Sequence, residues 1–149
     1  MKLSTKGRYG LRAMLDLAIN SFGDHVSLYS IAERQNISEN YLEQVFSTLR
    51  KAGLVNSVKG AQGGYILAAE PSKTTVGTIL RALEGDLAVV DEEVESKGSP
   101  KNIILSCIKI NVWDKMNESL NQVVDSLTLE DLVNEYKKMN SEQAAMYFI

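Results

Sequence analysis

The sequence predicts a mainly α-helical fold with one small β-hairpin, and three features carry that prediction. Apolar residues return at three- and four-residue steps in three segments ahead of residue 52. Two short β-like runs, 54–58 and 65–68, flank the glycine-rich stretch Lys59-Gly60-Ala61-Gln62-Gly63-Gly64. A long apolar stripe then marks a helix expected over about 101–127.

Taken in order, Ser4-Thr5 can cap a first helix over about 6–21, with Leu11, Met14, Leu15, Ala18 and Ile19 as its buried stripe. Lys6, Arg8, Tyr9 and Arg12 cluster near its start. A helix N-terminus favours anions, so these residues suit a phosphate clamp; a solvated basic turn would read the same way. His25, the sole histidine, falls in a loop after Phe22-Gly23-Asp24 and reads as a surface residue rather than a ligand or base. Ser27 caps a short second helix to about Gln35, with Leu28, Ile31 and Ala32 on one face. Asn36-Ile37-Ser38 breaks it, and Ser38 caps a third helix over 39–51 with Glu39 in its positive first turn. That helix buries Leu42, Val45, Phe46 and Leu49. Its other face carries Asn40, Glu43, Gln44, Ser47, Thr48 and Arg50, able to meet base edges or phosphates. Gly53 ends it as a glycine past a helix C-terminus would.

Two helices at a tight turn, followed by a glycine-tipped hairpin, form a winged helix-turn-helix, the second helix aimed at a major groove and the wing at backbone or minor groove. A winged domain that docks proteins would show the same pattern. Beyond the wing, Thr74 or Thr75 caps a helix over about 76–83, closed by Glu84-Gly85. The organisation expected is a head over 1–85, a flexible acidic loop over 86–100, a dimerisation helix with a short final helix over 101–138, and a tail over 139–149. In the long helix Met116, Leu120, Val123 and Leu127 continue a stripe begun by Ile103, Ile110 and Trp113. So long an apolar face is economically hidden by a second chain, although folding back on its own head would also cover it. Thr128 with Asp131 forms a variant capping box for the final helix over about 129–138. The tail ends in Met146, Tyr147, Phe148 and Ile149, which suits either packing on the core or docking in another protein's pocket.

Composition is that of an ordinary soluble protein, 44% hydrophobic and 23% charged. No apolar run approaches the roughly 18 residues of a membrane span. Met1-Lys2-Leu3-Ser4 lacks the apolar core of a signal peptide, so a cytoplasmic location is expected. A single cysteine excludes an internal disulfide. The net charge of −3 is unevenly shared: residues 1–67 hold eight Lys/Arg against five Asp/Glu, residues 68–149 eight against fourteen. A basic head on an acidic remainder suits DNA binding with a separate partner module. No base, nucleophile or metal-ligand constellation is present, and no glycine-rich phosphate loop joins a strand to a helix, which argues against an enzyme.

Leu3-Ser4-Thr5-Lys6-Gly7-Arg8-Tyr9-Gly10-Leu11, Ser38-Glu39-Asn40-Tyr41-Leu42-Glu43-Gln44, Leu49-Arg50-Lys51-Ala52-Gly53-Leu54-Val55 and Gly60-Ala61-Gln62-Gly63-Gly64-Tyr65 together resemble the winged-helix repressor family of IscR and CymR. The similarity continues through Leu83-Glu84-Gly85 and Ser126-Leu127-Thr128-Leu129-Glu130-Asp131-Leu132 and is nearest to the CymR-type regulators of cysteine metabolism. The resemblance implies a dimeric bacterial repressor in which Tyr41, Glu43, Gln44 and Ser47 face the major groove. It further implies that Lys59, Gly60, Gly63, Gly64 and Tyr65 lie along the minor groove or backbone, and that Arg8 and Tyr9 hold phosphates. Ser38, Asn40, Arg50 and Lys6 complete the expected DNA-binding set. Cluster-binding members carry three cysteines and a histidine between wing and long helix. Here only Cys107 matches, with Ile110 at the histidine position, so no iron–sulfur cofactor is expected. Cys107 is then an inert helical thiol or a redox switch. CymR-type relatives respond through cysteine synthase, which the resemblance makes a candidate corepressor engaging Met146–Ile149. A cluster-free or thiol-redox-responsive repressor of iron–sulfur assembly or stress genes is the alternative.

Overall fold

A computed structural model describes residues 2–90 and 102–147. Helices α1 (Thr5–Asn20), α2 (Leu28–Gln35) and α3 (Glu39–Lys51) are followed by strands β1 (Val55–Val58) and β2 (Gly64–Leu67), a 3-10 turn (Pro71–Lys73) and α4 (Val76–Glu84). Helix α5 (Ile103–Ile108), a π-helical stretch (Lys109–Trp113) and α6 (Asp114–Ser126) then run on as one long helix. Helix α7 (Leu129–Tyr147) is last.

Caps set these boundaries. Ser4, Ser27, Ser38 and Thr75 each accept a hydrogen bond from a backbone N–H three residues on, at the starts of α1 to α4. Helix α2 stops where Asn36 adopts a left-handed conformation (φ 54°), and α3 stops ahead of Gly53 (φ 79°). Thr128 and Asp131 form a reciprocal box at the start of α7: the Thr128 N–H donates to the Asp131 carboxylate (3.0 Å) and the Asp131 N–H to the Thr128 hydroxyl (3.1 Å).

One core joins α1 through α4 and the hairpin. Phe46, Met14, Leu17, Ile31, Leu42, Leu49 and Ile79 are fully buried in it, with Leu129 closing it from the far end of the chain. The buried face of α1 lies one position round from the expected stripe. It comprises Gly7, Gly10, Ala13, Met14, Asp16 and Leu17, while Leu11, Leu15, Ala18 and Ile19 are only half-buried. Counting apolar residues overlooks glycine, and Gly7 and Gly10 are what face α4. Asp16 is buried because Arg34 grips it with two nitrogens (3.0 and 2.7 Å) and Gln35 adds a third donor (2.9 Å), tying α1 to α2. That bonding also raises the Arg34 guanidinium above its ordinary pKa, against the opposing effect of burial.

A second, smaller cluster of Val76, Leu80, Leu87 and Val124 fastens α4 to α6. Backbone bonds reinforce the joint: the Val76 N–H donates to the Leu127 carbonyl (2.8 Å) and the Leu129 N–H to that of Thr74 (2.9 Å). One expectation changes at the C-terminal end. The final helix does not stop near residue 138; α7 continues through Ser141, Glu142, Gln143, Ala144 and Ala145 to Tyr147, since none of these residues breaks a helix. The acidic loop expected over 86–100 falls outside the described residues from Asp91 onward, and so do Phe148 and Ile149. No helix among the described residues is long and apolar enough to cross a membrane.

Candidate nucleic-acid interface

Helix α3 turns Leu42, Val45, Phe46 and Leu49 inward, and that choice decides which side chains face out. Ser38, Asn40, Glu43, Gln44 and Arg50 are exposed, and Ser47 and Tyr41 are half-buried. The start of α3 lies beside the start of α1. The Tyr9 and Tyr41 rings meet edge to face, 6.0 Å apart at 83°. The Arg12 guanidinium lies 5.1 Å from the Tyr9 ring centroid and that of Arg8 lies 6.0 Å away, two cation–π contacts that gather positive charge at this seam. Arg12 also donates to the Gln35 carbonyl at the end of α2. The basic cluster and the polar face of α3 therefore form one surface.

The end of α1 itself is already occupied by an anion. The Glu84 carboxylate accepts from the backbone N–H of Ser4 (3.0 Å) and of Gly7 (3.1 Å), and from the Ser4 hydroxyl. The helix terminus invoked for a phosphate clamp is thus filled by the chain's own carboxylate. The basic side chains beside it are exposed Arg8 and half-buried Lys6, and a phosphate at this end would have only such side chains to meet. Eighty residues separate Glu84 from Ser4, so no local pattern in the sequence announces this cap.

The wing pairs Val55 with Leu67, Asn56 with Ile66, Ser57 with Tyr65 and Val58 with Gly64. Val26 joins its outer edge, exchanging two backbone hydrogen bonds with Tyr65 (2.8 and 2.9 Å). Gly64 is required by this approach, since a Cβ there would lie 2.2 Å from the Val26 carbonyl oxygen. The Tyr65 ring packs on Phe46 at 4.9 Å, which gives Tyr65 and Gly64 structural tasks in the hairpin. Lys59 and Gly60 remain exposed at the tip.

The profile of the Rrf2 family, described as an iron-dependent transcriptional regulator, matches residues 3–135. The chain belongs to the Rrf2 family. It is 44% identical to the HTH-type transcriptional regulator CymR of Bacillus subtilis (strain 168) over 149 residues, 100% of both chains. The solved structure of CymR (YrzC), the global cysteine regulator of B. subtilis, matches with a TM-score of 0.75, covering 91% of this chain and 98% of that one. The structure of T. potens IscR matches at 48% identity with a TM-score of 0.73, covering 93% and 90%. As an Rrf2-family member the protein is a DNA-binding transcriptional regulator of winged-helix type, and not an enzyme.

The family description raises iron, and the donors of this Rrf2-family chain do not fit an iron–sulfur cluster. The whole sequence holds one cysteine and one histidine. The His25 ring lies against the Asp24 carboxylate and the Gln62 carbonyl, and Cys107 is a free, exposed thiol with the Asn111 amide 3.8 Å from its sulfur. Clusters take three or four thiolate or imidazole ligands. Of the remaining expected sites, Ile110, Met116 and Val123 are exposed on the long helix, and Leu127 is exposed just past its end. Trp113 is half-buried, as is Leu120, which packs on the chain's own head. Met146 and Tyr147 are exposed at the end of α7.

Proposed function

We propose that this protein is a homodimeric repressor of cysteine and sulfur metabolism genes, with cysteine synthase as its corepressor. Carrying that reading is its match to the B. subtilis cysteine regulator along the full length of both chains, the C-terminal end included. On DNA, α3 enters the major groove with Asn40, Glu43, Gln44 and Ser47 toward base edges, while Arg8, Arg50 and Lys59 hold phosphates. Tyr41 and Tyr9 brace the seam between the two helix starts. The exposed stripe of the long helix pairs with a second copy, which sets two heads on a two-fold operator. The C-terminal apolar segment, Met146, Tyr147, Phe148 and Ile149, enters a pocket of the enzyme. Exposed Met146 and Tyr147 at the last turn of α7 support this reading, because a helix end without tertiary contacts unwinds at little cost.

The test is binding of purified cysteine synthase to the intact protein and to one truncated after Ala145, with and without O-acetylserine. Intact protein is expected to bind, truncated protein not, and O-acetylserine is expected to disperse the complex. Equal binding by both forms would remove the C-terminal segment from the mechanism. Exposed Cys107 supports a second reading, a thiol-redox signal. Its signature is DNA binding lost on oxidation, restored by reductant, and indifferent to oxidant in Cys107→Ser.

A further inference from the structure

His25 sits where the loop between α1 and α2 meets the wing. One residue on, Val26 is bonded to Tyr65 through the backbone. The His25 Nε2 lies 2.5 Å from the carbonyl oxygen of Gln62 in the wing turn. Its Nδ1 lies 2.9 Å from the Asp24 carboxylate. That carboxylate is itself fixed, accepting the His25 backbone N–H at 2.7 Å. A carbonyl and a carboxylate can only accept, so each ring nitrogen needs a proton to face its neighbour favourably. Neutral imidazole carries one such proton and imidazolium two. A neutral ring must either turn a lone pair on the Asp24 carboxylate or give up the bond to Gln62.

We infer that His25 is a positioning residue for the wing: its protonated ring ties the wing turn to the α1–α2 loop, and losing the proton loosens that tie and weakens DNA binding. Asp24 is the one charged side chain that the contacts among the described residues bring to the ring. Lys59, the ionisable side chain of the wing turn, is exposed and has no described contact with the ring, and the Tyr65 ring is turned to Phe46. The inference rests on the reading that the wing touches DNA.

The experiment follows ring ¹⁵N shifts of His25, backbone amide shifts of residues 60–64, and operator affinity between about pH 5.5 and 8. It compares the full-length protein with His25→Gln and Lys59→Ala. Glutamine at position 25 can donate to the Gln62 carbonyl at any pH but does not titrate. In the native protein the ring should carry two protons at the low end, the wing amides should move with its titration, and affinity should fall as pH rises. The fall attributable to His25 is about three- to tenfold, the scale of one charge-assisted hydrogen bond, and should vanish in His25→Gln. Lys59→Ala should weaken binding at every pH while keeping the slope. A slope equal in native protein and His25→Gln, or wing amides that ignore the ring, would overturn the inference. A flat native profile with Lys59→Ala weakened rejects the tether alone; a flat profile with Lys59→Ala neutral rejects the wing's contact with DNA as well.

Discussion

Past the first turn of α3, where Glu39 sits at the helix N-terminus, Glu43 is the side chain whose charge runs against DNA. It is exposed on the face opposite Val45 and Phe46, between Asn40 and Gln44. A carboxylate can accept from the amino group of cytosine but is repelled by every phosphate, so it adds affinity only where a cytosine is within reach. Glu43→Ala should therefore broaden sequence preference while affinity for the preferred operator holds or rises. Selection of binding sites from a random library by the native protein and the variant would show this, and a uniform loss across sequences would contradict it. At this scale the sequence was a good guide where chemistry is local. Ser4, Ser27, Ser38, Thr75 and the Thr128–Asp131 box cap helices as their residue types and positions require. It was a poor guide where one side chain has two uses. Tyr65 at the edge of a hairpin could face DNA or core, and local spacing does not announce the contact its ring makes with Phe46. The Glu84 cap on α1 is invisible for a different reason, since its partner lies across the whole head.

Between elements, the joint of α4 with the long helix fixes how the head is carried. Gly77 lets α6 come close: a Cβ there would lie 2.1 Å from an oxygen of Asp125 and 3.1 Å from Val124. Arg81 donates to both oxygens of Asp125 (2.7 and 2.9 Å) and to Asn121 (2.8 Å). The hydrogen bonds from Arg81 hold the Asp125 carboxyl below its ordinary value of 3.8, against the opposing effect of desolvation. The folded state thus binds the Asp125 proton more weakly than the unfolded chain does. The pair's contribution is complete above the ordinary carboxylate value and is lost as pH falls through the lowered one. Native protein should be more stable than Asp125→Ala near neutrality, by the small amount an exposed pair supplies, and the gap should close below about pH 4. Denaturant melts across that range check it; a gap unchanged in acid would assign the effect to packing instead. The long helix itself was legible from its stripe, but its internal geometry was not. The π-helical stretch at Lys109–Trp113 carries more residues per turn than an α-helix, so the faces above and below it do not follow one α-helical period. Apolar spacing alone cannot reveal such a shift.

Over the whole molecule, charge and exposed apolar surface are segregated. The basic surplus lies in residues 1–67 and the acidic surplus in the remainder, a division that would favour approach to DNA through the head in a protein of net negative charge. Among the described residues, much of the uncovered apolar surface lies on the long helix: Ile103, Ile104, Ile110, Met116 and Val123 are 77%, 72%, 59%, 48% and 57% exposed, a band that the proposed second copy would cover. Leu120 and Val124 turn to the head while Met116 and Val123 turn away, so the helix uses one face for its own domain and leaves the other open to the second copy proposed above. Val89, Val90, Val112 and Trp113 line a groove alongside Met116 that continues this surface. Val123→Asp places a charge in the proposed interface without touching the head core. It should shift the protein to monomer in sedimentation while leaving the head folded. Binding to a single half-site should then persist. Affinity for a two-half-site operator should fall by about a hundredfold, because the second head loses the high effective concentration that tethering supplies. The salt dependence should fall with it, since one head neutralises about half as many phosphates as two. A dimer that survives Val123→Asp would move the pairing surface to exposed apolar residues of α7, Tyr136 and Met139 among them.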